Sequence, residues 1–103
     1  MAKLKLTAEP TFRAKVPVPI PGAGAVDVEF TFKHRTRKDA QAWIESIVDQ
    51  EDTQIVMDAA SGWDLDDAYT AENVERLCEN YAGAGLAVFE CYVRELRGAR
   101  AKN

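Results

Sequence analysis

The residues best placed to do chemistry are five carboxylates, Asp64, Asp66, Asp67, Glu72 and Glu75, gathered in one short stretch. Their spacing resembles that of a calcium loop, whose twelve positions open on Asp and close on a bidentate Glu. With Asp64 at the first position, Glu75 takes the twelfth. Tyr69 then falls at the sixth, where the sharp turn needs glycine, and Ala68 at the fifth, where an oxygen ligand belongs. The stretch therefore reads as a solvated acidic loop. As an acid/base pair the same carboxylates lack a partner motif. Ser61 and His34 have no nucleophile context such as G-x-S-x-G. His34 is the sole histidine, and no cysteine pair stands near it. Gly22-Ala23-Gly24 lacks the Lys-Ser or Lys-Thr and the following helix of a phosphate loop, so it reads as a turn. No catalytic residue, cofactor or metal ligand is expected.

Two strands and about four helices must carry these residues. Phe12, Ala14, Val16, Val18 and Ile20 alternate with Arg13, Lys15, Pro17 and Pro19. Val26, Val28, Phe30 and Phe32 alternate likewise with Asp27, Glu29, Thr31 and Lys33. This period of two predicts a pair of half-buried strands. Pro21 to Ala25 reads as their hairpin loop. Pairing Ile20 with Val26 sets Val18 on Val28, Val16 on Phe30 and Ala14 on Phe32, all apolar groups sharing one face. Pro17 and Pro19 cannot donate to a ladder, so the first strand is an edge there or leaves the sheet early. Residues 3 to 9 add a third short strand through Leu4, Leu6 and Ala8.

After Thr36 the period becomes 3.6. Thr36 caps a helix with Asp39 in its first turn and Trp43, Ile44, Ile47 and Val48 as its buried stripe. Ile55, Val56, Ala59 and Ala60 predict a second helix ending at Gly62, with Trp63 folding back on it. Thr70 caps a third, with Val74, Leu77, Cys78 and Tyr81 on one face and Gly83 as its C-cap. Leu86, Phe89, Val93 and Leu96, with Tyr92 beside them, make a fourth, antiparallel to the third. The expected fold class is α+β: an N-terminal β-hairpin packed on about four short C-terminal helices. It forms a single domain over 1–103, with a hairpin region at 1–35, a helical region at 36–97 and a flexible tail at 98–103.

A chain of 103 residues, 47% hydrophobic and 29% charged, is of the size and composition of one globular domain. No apolar run approaches the roughly 18 residues of a membrane helix. MAKLKLTAEP lacks the apolar core of a signal peptide, so synthesis in the cytoplasm is expected. Cys78 and Cys91 fall on helices among apolar neighbours and read as buried free thiols. The net charge of −4 hides an asymmetry: residues 1 to 38 sum to +5 and residues 39 to 103 to −9. Asp39 to Asp67 hold nine acids and no base, so a nucleic-acid partner is disfavoured. The opposed signs fit two readings equally: a solvated acidic face with a basic hairpin folded back on it, or a polarity suited to head-to-tail association or a charged protein partner. Lys33, Arg35, Arg37 and Lys38 are the candidate basic contact, and Leu86, Phe89 and Val93 the apolar alternative.

Gly62-Trp63-Asp64-Leu65, Thr70 to Leu77, Asn80-Tyr81 and Ala87 to Leu96 resemble the C-terminal half of a family of small phage tail assembly chaperones. The order of hairpin, basic turn and helices is similar too. Ala82 departs from the proline expected after the tyrosine of the Asn-Tyr pair. The resemblance implies a non-enzymatic protein of the host cytoplasm that coats the tape measure protein of a long-tailed phage and leaves before the virion is finished. It also implies weak self-association and a longer frameshifted product. For the latter, GCA-AAA-AAC codons at Ala101-Lys102-Asn103 would supply a slippery site. Two other classes stay open: another phage structural protein of the minor tail or head–tail kind, and a small acidic inhibitor or immunity-type protein.

Overall fold

The computed structural model describes residues 3–98. Its elements run β1 (Thr11–Ile20), β2 (Gly24–Lys33), α1 (Arg37–Ser46), α2 (Asp52–Ala59), β3 (Ala60–Trp63), α3 (Ala71–Asn80) and α4 (Ala84–Leu96). The fold is α+β as the periodicities require: an N-terminal hairpin followed by helices, with a three-stranded antiparallel sheet ordered β1-β2-β3. The expected tail beyond Gly98, including Ala101 to Asn103, lies outside the described residues.

The hairpin forms with its apolar groups on one face, but in a register two residues from the expected one. Val18 pairs with Val26, Val16 with Val28, Ala14 with Phe30 and Phe12 with Phe32. The reason is the turn. Pro21 and Gly22 occupy the central positions of a turn closed by the Ala23 N–H donating to the Ile20 carbonyl at 2.9 Å. Gly22 has φ +78°, which Pro-Gly supplies without strain in a type II turn. Gly24, also at φ +78°, returns the chain at once to the strand, so three residues make the connection where five were expected. A shift of two preserves the faces, whereas a shift of one would invert them.

The third strand is not the N-terminal stretch. Leu4 and Leu6 are 92% and 101% exposed, and residues 3–10 form no strand. Instead α2 ends at Ala59 and the chain passes directly into β3, three residues short of the expected stop at Gly62. Phe30 pairs with Trp63 and Phe32 with Ala60, across a bulge. Trp63 therefore does not fold back on α2; it is a strand residue. β1 is the edge its prolines require, and α4 covers that edge. The Cys91 Sγ donates to the Lys15 carbonyl at 3.6 Å, and the Pro19 ring lies 3.1 Å from where a Cβ on Gly83 would stand.

The helices start where the caps place them. The Thr36 and Thr70 hydroxyls accept from the Asp39 and Asn73 N–H groups, each at 3.1 Å. Their ends and faces differ from expectation in three places. Ser46 donates its hydroxyl to the Trp43 carbonyl at 2.7 Å, and α1 stops there. Val48 lies past that stop and is 78% exposed, while Trp43 and Ile47 are buried. Tyr81, not Gly83, ends α3, and Gly83 at φ −86° is instead the N-cap of α4. In α4 the buried face is Ala84, Val88, Cys91 and Tyr92, with Leu86 left 60% exposed. This helix is apolar over most of its circumference, so hydrophobicity alone does not single out the inward face. α2 packs on both α3 and α4, which touch each other little, and Gly85 is why it can approach so closely. A Cβ at Gly85 would stand 2.5 Å from Asp52 Cγ and 2.7 Å from Asp52 Cβ.

Candidate functional site

At the base of the hairpin the apolar face is sealed. Tyr92 is fully buried, its ring 5.1 Å from Phe32, 6.2 Å from Phe12 and edge-on to Trp43 at 5.4 Å. Its hydroxyl donates to the Lys33 carbonyl at 2.7 Å and accepts from Arg35 Nη1 at 2.9 Å. Arg35 Nη1 also donates to the Asp58 carbonyl at 3.0 Å, and the guanidinium lies 4.6 Å over the Trp43 ring. Trp43 Nε1 donates in turn to Asp58 Oδ2 at 3.2 Å. Arg35 is thus a clamp that ties the hairpin to α1, α2 and α4. Burial raises the Tyr92 hydroxyl pKa, with Arg35 opposing the shift.

The tip is open. A groove of about 700 Å³ runs between the hairpin and α3, floored by Val18, Val28, Trp63 and Leu77. Val26 is 56% and Leu65 38% exposed along it, and Asp67, Asn73, Arg76 and Asn80 give it a polar rim. Trp63 is held edge-on to Tyr69 at 5.1 Å and donates its Nε1–H to the Asp67 carbonyl at 2.7 Å. The Tyr69 hydroxyl bonds to the Ala60 and Val56 carbonyls at 3.0 and 3.2 Å, which fixes this wall to α2 and β3. Burial, helped by Cys78, pushes the Tyr69 pKa up to about 12. The acidic stretch enters the site as structure: the Asp64 N–H donates to the Glu29 carbonyl, and Asp64 Oδ1 accepts from the Glu29 N–H, both at 3.0 Å.

The residues expected to make contacts are placed as follows. Arg37 and Lys38 are exposed in the first turn of α1, while exposed Lys33 donates Nζ to the Met57 carbonyl at 3.2 Å. Arg35 does not sit in a free polar turn; it is half-buried in the clamp. Leu86 and Phe89 line a second cleft of about 260 Å³ with Ile44, Val48 and Ile55, and Val93 is half-buried nearby on α4. Phe89 also leans on Trp43 at 6.1 Å. The larger groove was not foreseen. No signal in the sequence marks it, because alternation gives the apolar face of the hairpin but not what covers it. Both thiols are free, but of the two expected to be buried only Cys91 is; Cys78 is half-buried. Burial, then Asp52, pushes Cys78 up to about 11, and burial raises Cys91.

What this arrangement can do is bind: it offers an apolar groove with a polar rim on a small α+β frame. Among the described residues, no group of three or more His, Cys, Asp or Glu is placed to hold a metal ion, and no helix is long and apolar enough to cross a membrane. The chain belongs to the phage tail assembly chaperones, a family whose model matches residues 1–103, the whole chain. No curated protein and no solved structure matches it.

Proposed function

We propose that this chaperone works without catalysis, by gripping apolar helical segments of the tape measure protein in the host cytoplasm and leaving before the virion is complete. The open groove at the hairpin tip carries this reading. A helix presents anchors at i, i+3 or i+4 and i+7, and a groove floored by Trp63, Val28 and Leu77 with a polar rim is suited to such a stripe. Many copies coat one long partner, each through a modest contact, and weak self-association along the partner follows.

Charge supports that association. Arg37 and Lys38 stand in the first turn of α1, where the helix dipole disfavours cations by about 0.3–1 kcal/mol each. Local helix stability therefore does not explain them, and a neighbouring copy's acidic segment does.

The test is binding of a labelled tape measure segment to wild type, Leu65→Lys and Leu86→Lys. Loss with Leu65→Lys alone supports the groove, and loss with Leu86→Lys alone moves the contact to the second cleft. No binding by the wild type rejects the tape measure reading.

A further inference from the structure

β3 accompanies β2 over only part of its length. It pairs with Phe32 to Phe30, and Asp64 extends the contact to Glu29. Both backbone groups of Glu29 are used there. Its carbonyl accepts from the Asp64 N–H and its N–H donates to Asp64 Oδ1, each at 3.0 Å. In an antiparallel sheet the N–H and C=O of one residue point to the same side, and those of the next residue to the other. Asp27 and Ala25 therefore aim their N–H and C=O groups the same way as Glu29, past the end of β3. The residues opposite them, Pro17 and Pro19, agree, because pairs at those positions exchange no hydrogen bonds across the hairpin. Among the described residues nothing bonds to these four groups, and Ala25 and Asp27 are exposed.

The opposite edge of the sheet carries prolines and is covered by α4, whereas this one has neither. Beside it lies the groove. Val26 and Val28 line it from β2, and α3 forms its far wall through Asn73, Arg76 and Leu77. A strand edge that faces a helix across an apolar groove suits an extended peptide, whose backbone continues the sheet while alternate side chains enter the groove. A helix has its own backbone groups bonded internally, so it offers this edge no partner.

We infer that the open edge binds an extended segment of a phage tail protein by antiparallel strand addition. The segment lies along Ala25 to Asp27, and its side chains opposite Val26 and Val28 turn into the groove. The family supplies the class of partner. The rim holds one acid, Asp67, and one base, Arg76, so the segment it suits is uncharged. A second copy's β2 does not fit. Paired antiparallel about Val26, it would set its Ala23 opposite Glu29, where Asp64 already sits. Moved two residues outward, it would face Asp27 with Ala23, whose N–H is already donated to the Ile20 carbonyl. The chain's own arm lies in solvent and leaves from the far end of β1. The inference rests on the edge and the family, not on the tape measure reading. A helix on the groove floor and a strand on its edge compete for the space beside Val26.

The test is titration of the full-length protein with an uncharged peptide, Thr-Val-Thr-Val-Thr blocked at both ends, followed in ¹H–¹⁵N spectra. The peptide shifts the Ala25 and Asp27 amide signals and slows their hydrogen exchange, while the Trp43 indole signal at the sealed base stays in place. Methylating the threonine amides, which face the edge, weakens binding about tenfold or more, the scale of two lost hydrogen bonds. Methylating the valine amides, which face away, leaves it unchanged. Ala25→Pro removes an edge donor without touching the ladder to β1, and abolishes binding at an unchanged unfolding midpoint. If that variant does not fold, the methylated peptides still decide. Equal binding by the two methylated peptides, or a shift at Trp63 without protection of Ala25 and Asp27, overturns the inference, because side chains alone are then read. Absence of any response to the peptide overturns it as well. So does protection of these two amides without peptide, by a second copy if it grows with concentration and by the chain itself if it does not. If the peptide fails while tape measure binding still depends on Leu65, the proposed function stands.

Discussion

At its base the hairpin meets a finished interior, and at its tip it does not. Phe12 and Phe32 are packed on Tyr92, whose hydroxyl is satisfied on both sides by Lys33 and Arg35. At the other end Val26 is 56% exposed, beside the open groove between the hairpin and α3. Both ends obey the same alternation of apolar and polar residues. The difference lies in what the helices cover. More of the buried contact, and with it more of the local stability, therefore lies at the base than at the tip.

The largest effect should come from breaking the base. Tyr92→Ala removes a fully buried ring and should cost about 3–5 kcal/mol, a large share of the stability of a domain this small. Tyr92→Phe keeps the ring but leaves the Lys33 carbonyl and Arg35 without their partner, for about 1–3 kcal/mol. Urea unfolding measures both. A Tyr92→Phe variant as stable as wild type would mean that the clamp is not a stabilising network. Arg35→Glu should behave like the tyrosine variants, not like a surface change.

Next in size is Gly85→Ala. The two glycines of the turn, Gly22 and Gly24, are needed for a positive φ, but Gly85 is needed for space. Its added methyl would meet Asp52 Cγ and Cβ, not the loose end of a long side chain, so α2 or α4 must shift. Overpacking of this kind costs about 1–3 kcal/mol. Thermal unfolding reads it, and an unchanged midpoint would show that the two helices yield freely.

Alkali should loosen the wall of the groove. Cys78 rises from 9.0 to about 11 and Tyr69 from 10.0 to about 12, both chiefly through burial. Each holds its proton more tightly folded than unfolded. Between the two values the unfolded chain therefore binds fewer protons, and stability falls with rising pH. That contribution is whole below the unfolded pKa of 9.0 and is lost through about 11 for Cys78, then from 10.0 through about 12 for Tyr69. Urea midpoints at about pH 8 and about pH 10.5 should differ, and Cys78→Ala should remove the earlier part of the fall. A flat profile would mean that these groups are solvated in the folded state.

Much of this division was legible in the sequence, and each miss has its own physical cause. Alternation and caps gave the hairpin, its apolar face, the edge position of β1 and the starts of α1 and α3. Register slipped by two because a turn with two positive-φ glycines is shorter than its composition suggests. β3 was hidden because Ala60-Ser61-Gly62-Trp63 has no alternation of its own and is a strand only by pairing with β2. The clamp was hidden because Arg35 lies between Thr36 and His34 in a polar run, while its partners Asp58 and Tyr92 are distant in sequence. The groove was hidden for the complementary reason: a pattern shows which face is apolar, not whether anything covers it.

The smallest expected effect separates the two ends by charge. Arg37→Glu with Lys38→Glu alters two exposed side chains in the first turn of α1, where acids suit the helix dipole. Stability should therefore stay level or rise by about 0.5 kcal/mol. Self-association should weaken if the positive base of one copy meets the acidic segment of the next. Exposed pairs contribute about 0.2–1 kcal/mol each, so the pair of changes should raise the dissociation constant several-fold. Such contacts are screened within about 8 Å at physiological salt, so wild-type association should itself weaken as salt rises, and the variant should be nearly salt-independent. Sedimentation at low and high salt reads all three. Association that strengthens with salt would instead assign the contact to apolar surface, either the groove at Leu65 or the cleft at Leu86 and Phe89. Sedimentation of the Leu65→Lys and Leu86→Lys variants would then decide between those two.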